Sequence, residues 1–316
     1  MVRRWCPHRR QAVAFFLAAF SLLSLLFPPR DQRIVNDGHS RHRIGSSVCR
    51  PDMEVTRLPP MPDDDDVLLH ALFRYLTEPS RAACDRVLRF GGMSHLDNLK
   101  SLRLDGHKYM CADAEFTLLS STSCLVYSFG ISEDWSFDFD MESFGCTVHA
   151  FDPTTNDTAG YQNGSIFFHK HGIGGWDGQV DGMAVRSLDS IAQRLGHAAR
   201  TVHYLKLDVE GSEWAVFEQQ VRNAEQSTLF RNVEQLGAEL HFTWHLPVTF
   251  HREFYRRVYR ALLGLQAMGF YPFAHEWNWS SQLMDVPGFE HKLPSAMEVA
   301  WVKSRCAPEP ARWRTK

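Results

Sequence analysis

The run Tyr204-Leu205-Lys206-Leu207-Asp208-Val209-Glu210-Gly211-Ser212-Glu213-Trp214 sets two acids where an apolar alternation gives way to a helical rhythm. Carboxylates at such a junction can take a proton, hold a cation or accept from a ligand hydroxyl, and they can equally serve only the turn. Asp208 closes the apolar run, so it stands at the mouth of any crevice beyond that strand and is the first catalytic candidate. Glu210 falls near the start of the next helix, where its charge suits the helix dipole. His241 and His245, in His241-Phe242-Thr243-Trp244-His245, follow another apolar run and offer a second source of a base, with His241 as the candidate. No CxxC pair is present, and no cluster of ligands compels an ion at Asp208 and a second acid, so no metal site is expected. Asp138-Phe139-Asp140 is a DxD triplet, a pattern that can bind a metal–nucleotide sugar.

These residues need a scaffold, and the pattern from about residue 120 supplies one. Cys124 to Phe129, Thr147 to Phe151, Ser165 to His169, Val202 to Val209, Gly237 to Phe242 and Met297 to Val302 read as strands. Val185 to Leu195, Ser212 to Val221 and Phe250 to Met268 carry helical periods between them. That alternation predicts an α/β fold with a mostly parallel, doubly wound sheet, in which ligands bind beyond the carboxyl ends of the strands. The turn Ser128-Phe129-Gly130-Ile131 follows the first of these strands, and its glycine would let backbone approach a ligand. Asp152, about 22 residues after Gly130, ends the second and could accept hydrogen bonds from two ribose hydroxyls. Ahead of the sheet, Asp63 to Asp66 precede Val67-Leu68-Leu69 and read as the acidic start of a helix rather than a metal site.

The chain has 316 residues with 34 basic and 37 acidic, a balance that excludes a general nucleic-acid binder. Arg3, Arg4, Arg9 and Arg10 precede an uncharged apolar run from Ala12 to Phe27. This is the pattern of a secretory signal, cleaved or kept as an anchor, and it predicts a secreted or lumenal protein touching a membrane only through that segment. Residues 31–62 read as a flexible stem, 63–120 as a helical segment packing on the core, 121–305 as the main domain and 306–316 as a tail. Three sequons, at Asn156, Asn163 and Asn278, are glycosylation candidates. Cys49, Cys84, Cys111, Cys124, Cys146 and Cys306 allow disulfides in that compartment, although Cys124 and Cys146 could equally be buried thiols on strands.

The segments "VYSFGISEDWSFDF", "VHAFDPT", "RSLDSI", "YLKLDVEGSEW" and "AMEVAWV", with "DGHKYMC" before them, resemble the FkbM-like and related methyltransferase-like families over roughly residues 65 to 305. The resemblance implies a Rossmann-like class I methyltransferase fold, a seven-stranded sheet and S-adenosylmethionine as methyl donor. Carried over by position, it implies that Ser128, Phe129, Gly130 and Ile131 line the donor, Asp152 holds its ribose, Asp177 in the loop 172–178 approaches its adenine, and Asp208 lies beside the sulfonium. The acceptor stays unnamed. Two alternatives stand beside this reading: a lumenal glycosyltransferase using Asp138 and Asp140, and a secreted protein that keeps the fold without catalysis. The latter draws on the first turn, which holds Ser128, Ser132 and Glu133 where relatives carry an acid and further glycines.

Overall fold

The strands of the main sheet are short, largely apolar runs, and most successive strands are joined through a helix. The computed structural model describes residues 55–80, 83–96, 102–114, 116, 118, 123–155, 164–224, 227–242 and 252–304, all within the compact unit Ser47–Lys316. Helix α1 (Asp65–Thr77) is followed by strands β1 (Val87–Phe90), β2 (Met93–Leu96), β3 (Leu102–Asp105) and β4 (Lys108–Cys111). Next come β5 (Leu125–Phe129), α2 (Ser136–Ser143), β6 (Thr147–Phe151), β7 (Ile166–His169), β8 (Gly172–Ile173), β9 (Gly178–Val180) and β10 (Met183–Arg186). The chain continues through α3 (Leu188–Arg194), β11 (Tyr204–Leu207), α4 (Glu213–Arg222), α5 (Thr228–Arg231), β12 (Gln235–His241) and α6 (Arg252–Ala267). It closes with β13 (Phe270–Trp277), β14 (Leu283–Met284), β15 (Leu293–Pro294) and β16 (Ala296–Lys303).

Seven strands form the central sheet in the order β13-β16-β12-β11-β5-β6-β7. The five from β12 to β7 are parallel, and β16 runs against both of its neighbours. The chain winds outward from β5 in one direction and from β11 in the other, so the strand order reverses between these two. That is the switch point at which open α/β sheets bind ligands. This is the Rossmann-like class I arrangement expected above.

The two faces of the sheet differ sharply. On one face Phe129, Leu205, Leu207, Leu236, Leu240, Val299 and Trp301 are all less than 2% exposed and join the core formed with α1, α4 and α6. Burying each such side chain contributes about 1.5–3 kcal/mol. The opposite face carries Tyr204, Lys206, Gln235, Glu239 and Glu298, because successive residues of a strand alternate sides. Strand β4 crosses that polar face. Tyr204 donates to the Tyr109 carbonyl at 2.8 Å, and the Gln235 side chain exchanges two hydrogen bonds with the Cys111 backbone at 2.7 and 2.8 Å.

The acidic run does start a helix: Asp64 accepts from the Val67 N–H at 2.9 Å, with Asp65 and Asp66 in the first turn of α1. Beyond Thr77, however, the segment predicted as helical is built from β1 to β4, with Gly91 and Gly92 at positive φ and Cys84 bonded to Cys111. Cys124 and Cys146 also form a disulfide, pinning β5 to β6 at their starts. Strand β13 has no counterpart in the sequence reading. It holds Pro272 beside a register shift at the sheet edge, the position where a sheet tolerates proline. The predicted leader, stem and tail fall on or largely on residues outside the described set.

Candidate functional site

Gly130 leaves β5 at φ +80°, a conformation that side chains rarely adopt. A Cβ there would lie 1.6 Å from the Asp208 carbonyl oxygen, so the first turn and the end of β11 touch backbone to backbone. Lys206 Nζ ties them further by donating to the Gly130 carbonyl at 2.5 Å. Beyond this junction opens a cavity of about 880 Å³, within the usual range for a small-molecule site. Phe129, Gly130, Ile131, Asp152, Asp208 and Glu239 are among its walls, and the exposed Trp176 stands at its rim. Among the described residues, three non-glycine residues have left-handed backbone, Ser132, Asp181 and Glu210, and all three line this cavity. Backbone strain gathered at one cavity is a mark of function, since packing alone rarely holds it.

The predicted residues separate into those the fold brings together and those it uses elsewhere. Gly130, Phe129, Ile131, Asp152 and Asp208 meet at the cavity, whereas Ser128 is wholly buried beneath it. Asp177 does not reach the cavity: its Oδ1 accepts from the Ser187 N–H at 2.8 Å and the Ser187 hydroxyl at 2.9 Å, just before α3. Asp152 is placed as expected but bonded otherwise. Its Oδ2 accepts from the N–H groups of Ile131 and Ser132 at 2.8 Å each, and its Oδ1 from Thr154 N–H, Thr154 hydroxyl and Thr155 N–H. Five protein donors therefore fill the carboxylate that was expected to hold ribose. Burial would raise its pKa, but these bonds hold it below the usual range.

Asp138 and Asp140 lie on α2 and point apart. Asp138 is fully buried, and burial pushes its carboxyl up to about 6, while the Asp140 side chain accepts from the Gly91 N–H at 2.7 Å. Residues two apart on a helix do not share a face, so this pair cannot chelate one ion. Of the sequons, Asn156 and Asn163 lie outside the described residues. Asn278 is half-buried, and its Nδ2 donates to Glu239 Oε1 at 2.7 Å, inward rather than on an outer loop.

Around Asp208 the structure adds residues that sequence reasoning missed. Lys108, 1% exposed, donates to Asp208 Oδ2 at 3.1 Å and Glu298 Oε1 at 2.5 Å. Burial alone would raise the Asp208 carboxyl, but Lys108 and then Lys206 hold it far below its ordinary value. Glu298 goes the other way: burial lifts it to about 7 against the pull of Lys108. Glu239 is pushed well above its usual value by burial and by the charges of Asp208 and Glu298. His241 sits behind Glu210 and Glu239, outside the cavity lining, with Nδ1 3.1 Å from Glu213 Oε1 and Nε2 3.3 Å from Glu210 Oε2. Burial would lower it, but Glu213 and the neighbouring acids raise it to about 9. These acids favour its protonated form, which counts against the general-base role expected of it. Glu210 can take that role: it lines the cavity, its side chain is 57% exposed, and burial followed by the nearby Asp208 and Glu213 charges raises its pKa despite His241. His245 falls outside the described residues. The signal for Glu239 and Glu298 was legible, an acid interrupting a buried strand in "GAELHF" and "AMEVAWV".

The cavity's charge tests what it can hold. Among the described residues its lining carries seven acids and a single lysine, Lys206, whose ammonium is already bonded to Gly130. Such a wall suits a ligand bearing positive charge and opposes one bearing phosphates, so a sulfonium donor fits and a sugar nucleotide does not.

Residues 70–264 match the family model described as a methyltransferase domain. Over 145 residues the chain is 30% identical to the proteins named "Probable methyltransferase-like protein 24" of Homo sapiens and of Rattus norvegicus, an alignment covering 43% of this chain and 38% of each relative. The chain thus matches well under half the length of those relatives. Among solved structures it is similar to the SAM dependent methyltransferase from Agrobacterium tumefaciens, at 9% identity and a TM-score of 0.33, over 67% of this chain and 70% of that one. That likeness is too distant to carry an argument about the site. The match across 70–264, on a sheet whose switch point opens into an acid-walled cavity, shows that this chain belongs to the methyltransferase-domain family.

Proposed function

We propose that this protein is a methyltransferase of the secretory pathway that binds its donor between Gly130 and Asp208 and methylates an acceptor entering past Trp176. The observation that carries this reading is the backbone contact of Gly130 with Asp208 at the switch point, under a cavity walled by acids. S-adenosylmethionine supplies a methyl carbon activated by its sulfonium. The protein's part is to align that carbon with the acceptor and to take a proton where the acceptor is O–H or N–H. Asp208, kept ionised by Lys108, gives the cavity floor a fixed negative charge beside the cationic donor. Glu210, held in a strained turn in the cavity wall with Oε2 3.3 Å from His241 Nε2, is the proton acceptor. The secretory address is supported by the arginine-led apolar run of residues 3–27 and by the disulfides Cys84–Cys111 and Cys124–Cys146, which suit an oxidising compartment.

One observation favours a second reading, a secreted protein that keeps the fold without binding donor. The first turn closes on Asp152, whose carboxylate has no lone pair left for ribose. Calorimetry of the full chain with S-adenosylhomocysteine separates the two: micromolar binding is expected, and no heat at millimolar ligand gives the answer to the second reading. A parallel thermal-shift series with a sugar nucleotide and metal should leave Tm unchanged. A shift there and none with S-adenosylmethionine would overturn the assignment.

A further inference from the structure

Three side chains converge beside the cavity, each fixed from outside by a different neighbour. Asp208 is held through Oδ2 by Lys108 at 3.1 Å, Glu239 through Oε1 by Asn278 at 2.7 Å, and His241 through Nδ1 by Glu213 at 3.1 Å. One ligand atom from each of Asp208, Glu239 and His241 lies within 4.8 Å of the other two. Strand geometry enforces this: Glu239 and His241 are two apart on β12 and so share a face, and the parallel pairing of Leu207 with Ala238 brings Asp208 alongside. Outer partners that fix a ligand's orientation, above all a carboxylate on the far nitrogen of a histidine, are the usual companions of a bound metal.

A second observation comes from the charge around the cluster. Glu298, 5% exposed, stands directly opposite Glu239 in the β12–β16 register, and its Oε2 has no hydrogen-bond partner. Glu213 is fully buried, and its Oε2 has none either. Asp208, Glu239, Glu298 and Glu213 thus bring four carboxylates together, against the two lysines Lys108 and Lys206. Buried carboxylates with open oxygens are costly unless a cation meets them.

We propose that Asp208, Glu239 and His241 form the binding site of one divalent first-row cation, of the manganese or zinc type, on the floor of the cavity. Two carboxylates and one imidazole form a donor set of intermediate softness, which suits Mn²⁺ or Zn²⁺ better than the all-oxygen ions. Asp208 and Glu239 line the cavity while His241 sits behind them, so the ion's remaining coordination positions face the space where an acceptor enters. The site stands on its own geometry and does not require the donor.

The test uses the full chain, stripped with a chelator and titrated separately with MnCl2 and ZnCl2 by calorimetry, with no donor present. One ion per chain is expected, with Kd below about 0.1 mM. Glu239→Gln and Asp208→Asn should each weaken it at least about tenfold, and Glu213→Gln about 10–100-fold with the stoichiometry kept, as an orienting partner would. Near-UV circular dichroism checks that each variant is folded. X-ray absorption of the zinc-loaded parent, independent of any variant, should show nitrogen and oxygen neighbours and no sulfur. Absence of binding by both ions at about 1 mM would overturn the site, as would binding undiminished in Glu239→Gln. Since S-adenosylhomocysteine is titrated in a separate experiment, failure of the cation site and failure of donor binding are read independently.

Discussion

The carboxylates under β4 and the histidines on the far face of the same sheet are both buried polar groups, yet opposite devices hold them. Asp208 and Glu298 meet the ammonium of Lys108, so burial is offset by charge. His149, His169 and His197 meet rings and each other: His149 Nδ1 lies 2.9 Å from His169 Nε2, His197 Nδ1 lies 2.9 Å from the Tyr127 hydroxyl, and Phe151 stacks on His169 at 4.6 Å. Burial first, and then the neighbouring histidines, push His149 down to about 3 and His169 to about 4. One cluster therefore keeps a fixed charge at Asp208, and the other is neutral. The charged one borders the cavity, where a fixed field can act on a ligand; the neutral one serves packing.

Removing the counter-ion should break the first cluster most severely. Lys108→Met leaves Asp208 and Glu298 without their cation and should cost about 3–5 kcal/mol in urea unfolding, part of it restored by adding Glu298→Gln. A loss under about 1 kcal/mol would mean that the carboxylates do not depend on it.

The neutral cluster should answer to pH instead. The folded pKa values of His149 and His169 lie below the unfolded value near 6.5, so the unfolded chain binds more protons between about pH 6.5 and pH 4. The stability they contribute is complete above pH 6.5 and falls as the medium is acidified, by up to about 1.4 kcal/mol per pH unit for each histidine. Unfolding curves at a series of pH values should show this slope, and His149→Phe should flatten it. An unchanged slope would detach the histidines from the effect.

Asp152 sharpens the comparison, since its charge is held by hydrogen bonds alone. Asp152→Asn replaces one acceptor by a donor against N–H groups and should destabilise by about 1–3 kcal/mol. If it does so while donor binding is unchanged, Asp152 serves the turn and not the ribose. At the surface the same chemistry matters little. The exposed pair Arg260–Glu253 should contribute no more than about 0.5 kcal/mol in a double-mutant cycle.

Much of the scaffold was legible because it rests on local periodicity. The apolar alternations ending at Phe129, Phe151 and Leu207 gave the parallel strands, and the helical rhythm of residues 250–268 gave α6. Asp208 could be placed at a strand end because the alternation stops there. Strand β13 was hidden by its proline, and β1 to β4 by glycines and short runs that carry no period. The family resemblance placed Asp177 near the adenine, yet the loop brings it back to Ser187.

The sequence by itself determined the kind of fold, the glycine turn after β5, and the acids standing at the strand ends. Only the tertiary structure decided which of those acids are charged, bonded or free for a ligand. Lys108 precedes Asp208 by 100 residues and Glu298 by 190, and Asn278 reaches Glu239 across 39. Such contacts follow from strand order and register, which bring same-face residues together across the sheet. No local pattern encodes that, and a carboxylate's chemistry is set by what lies within a few ångströms of it.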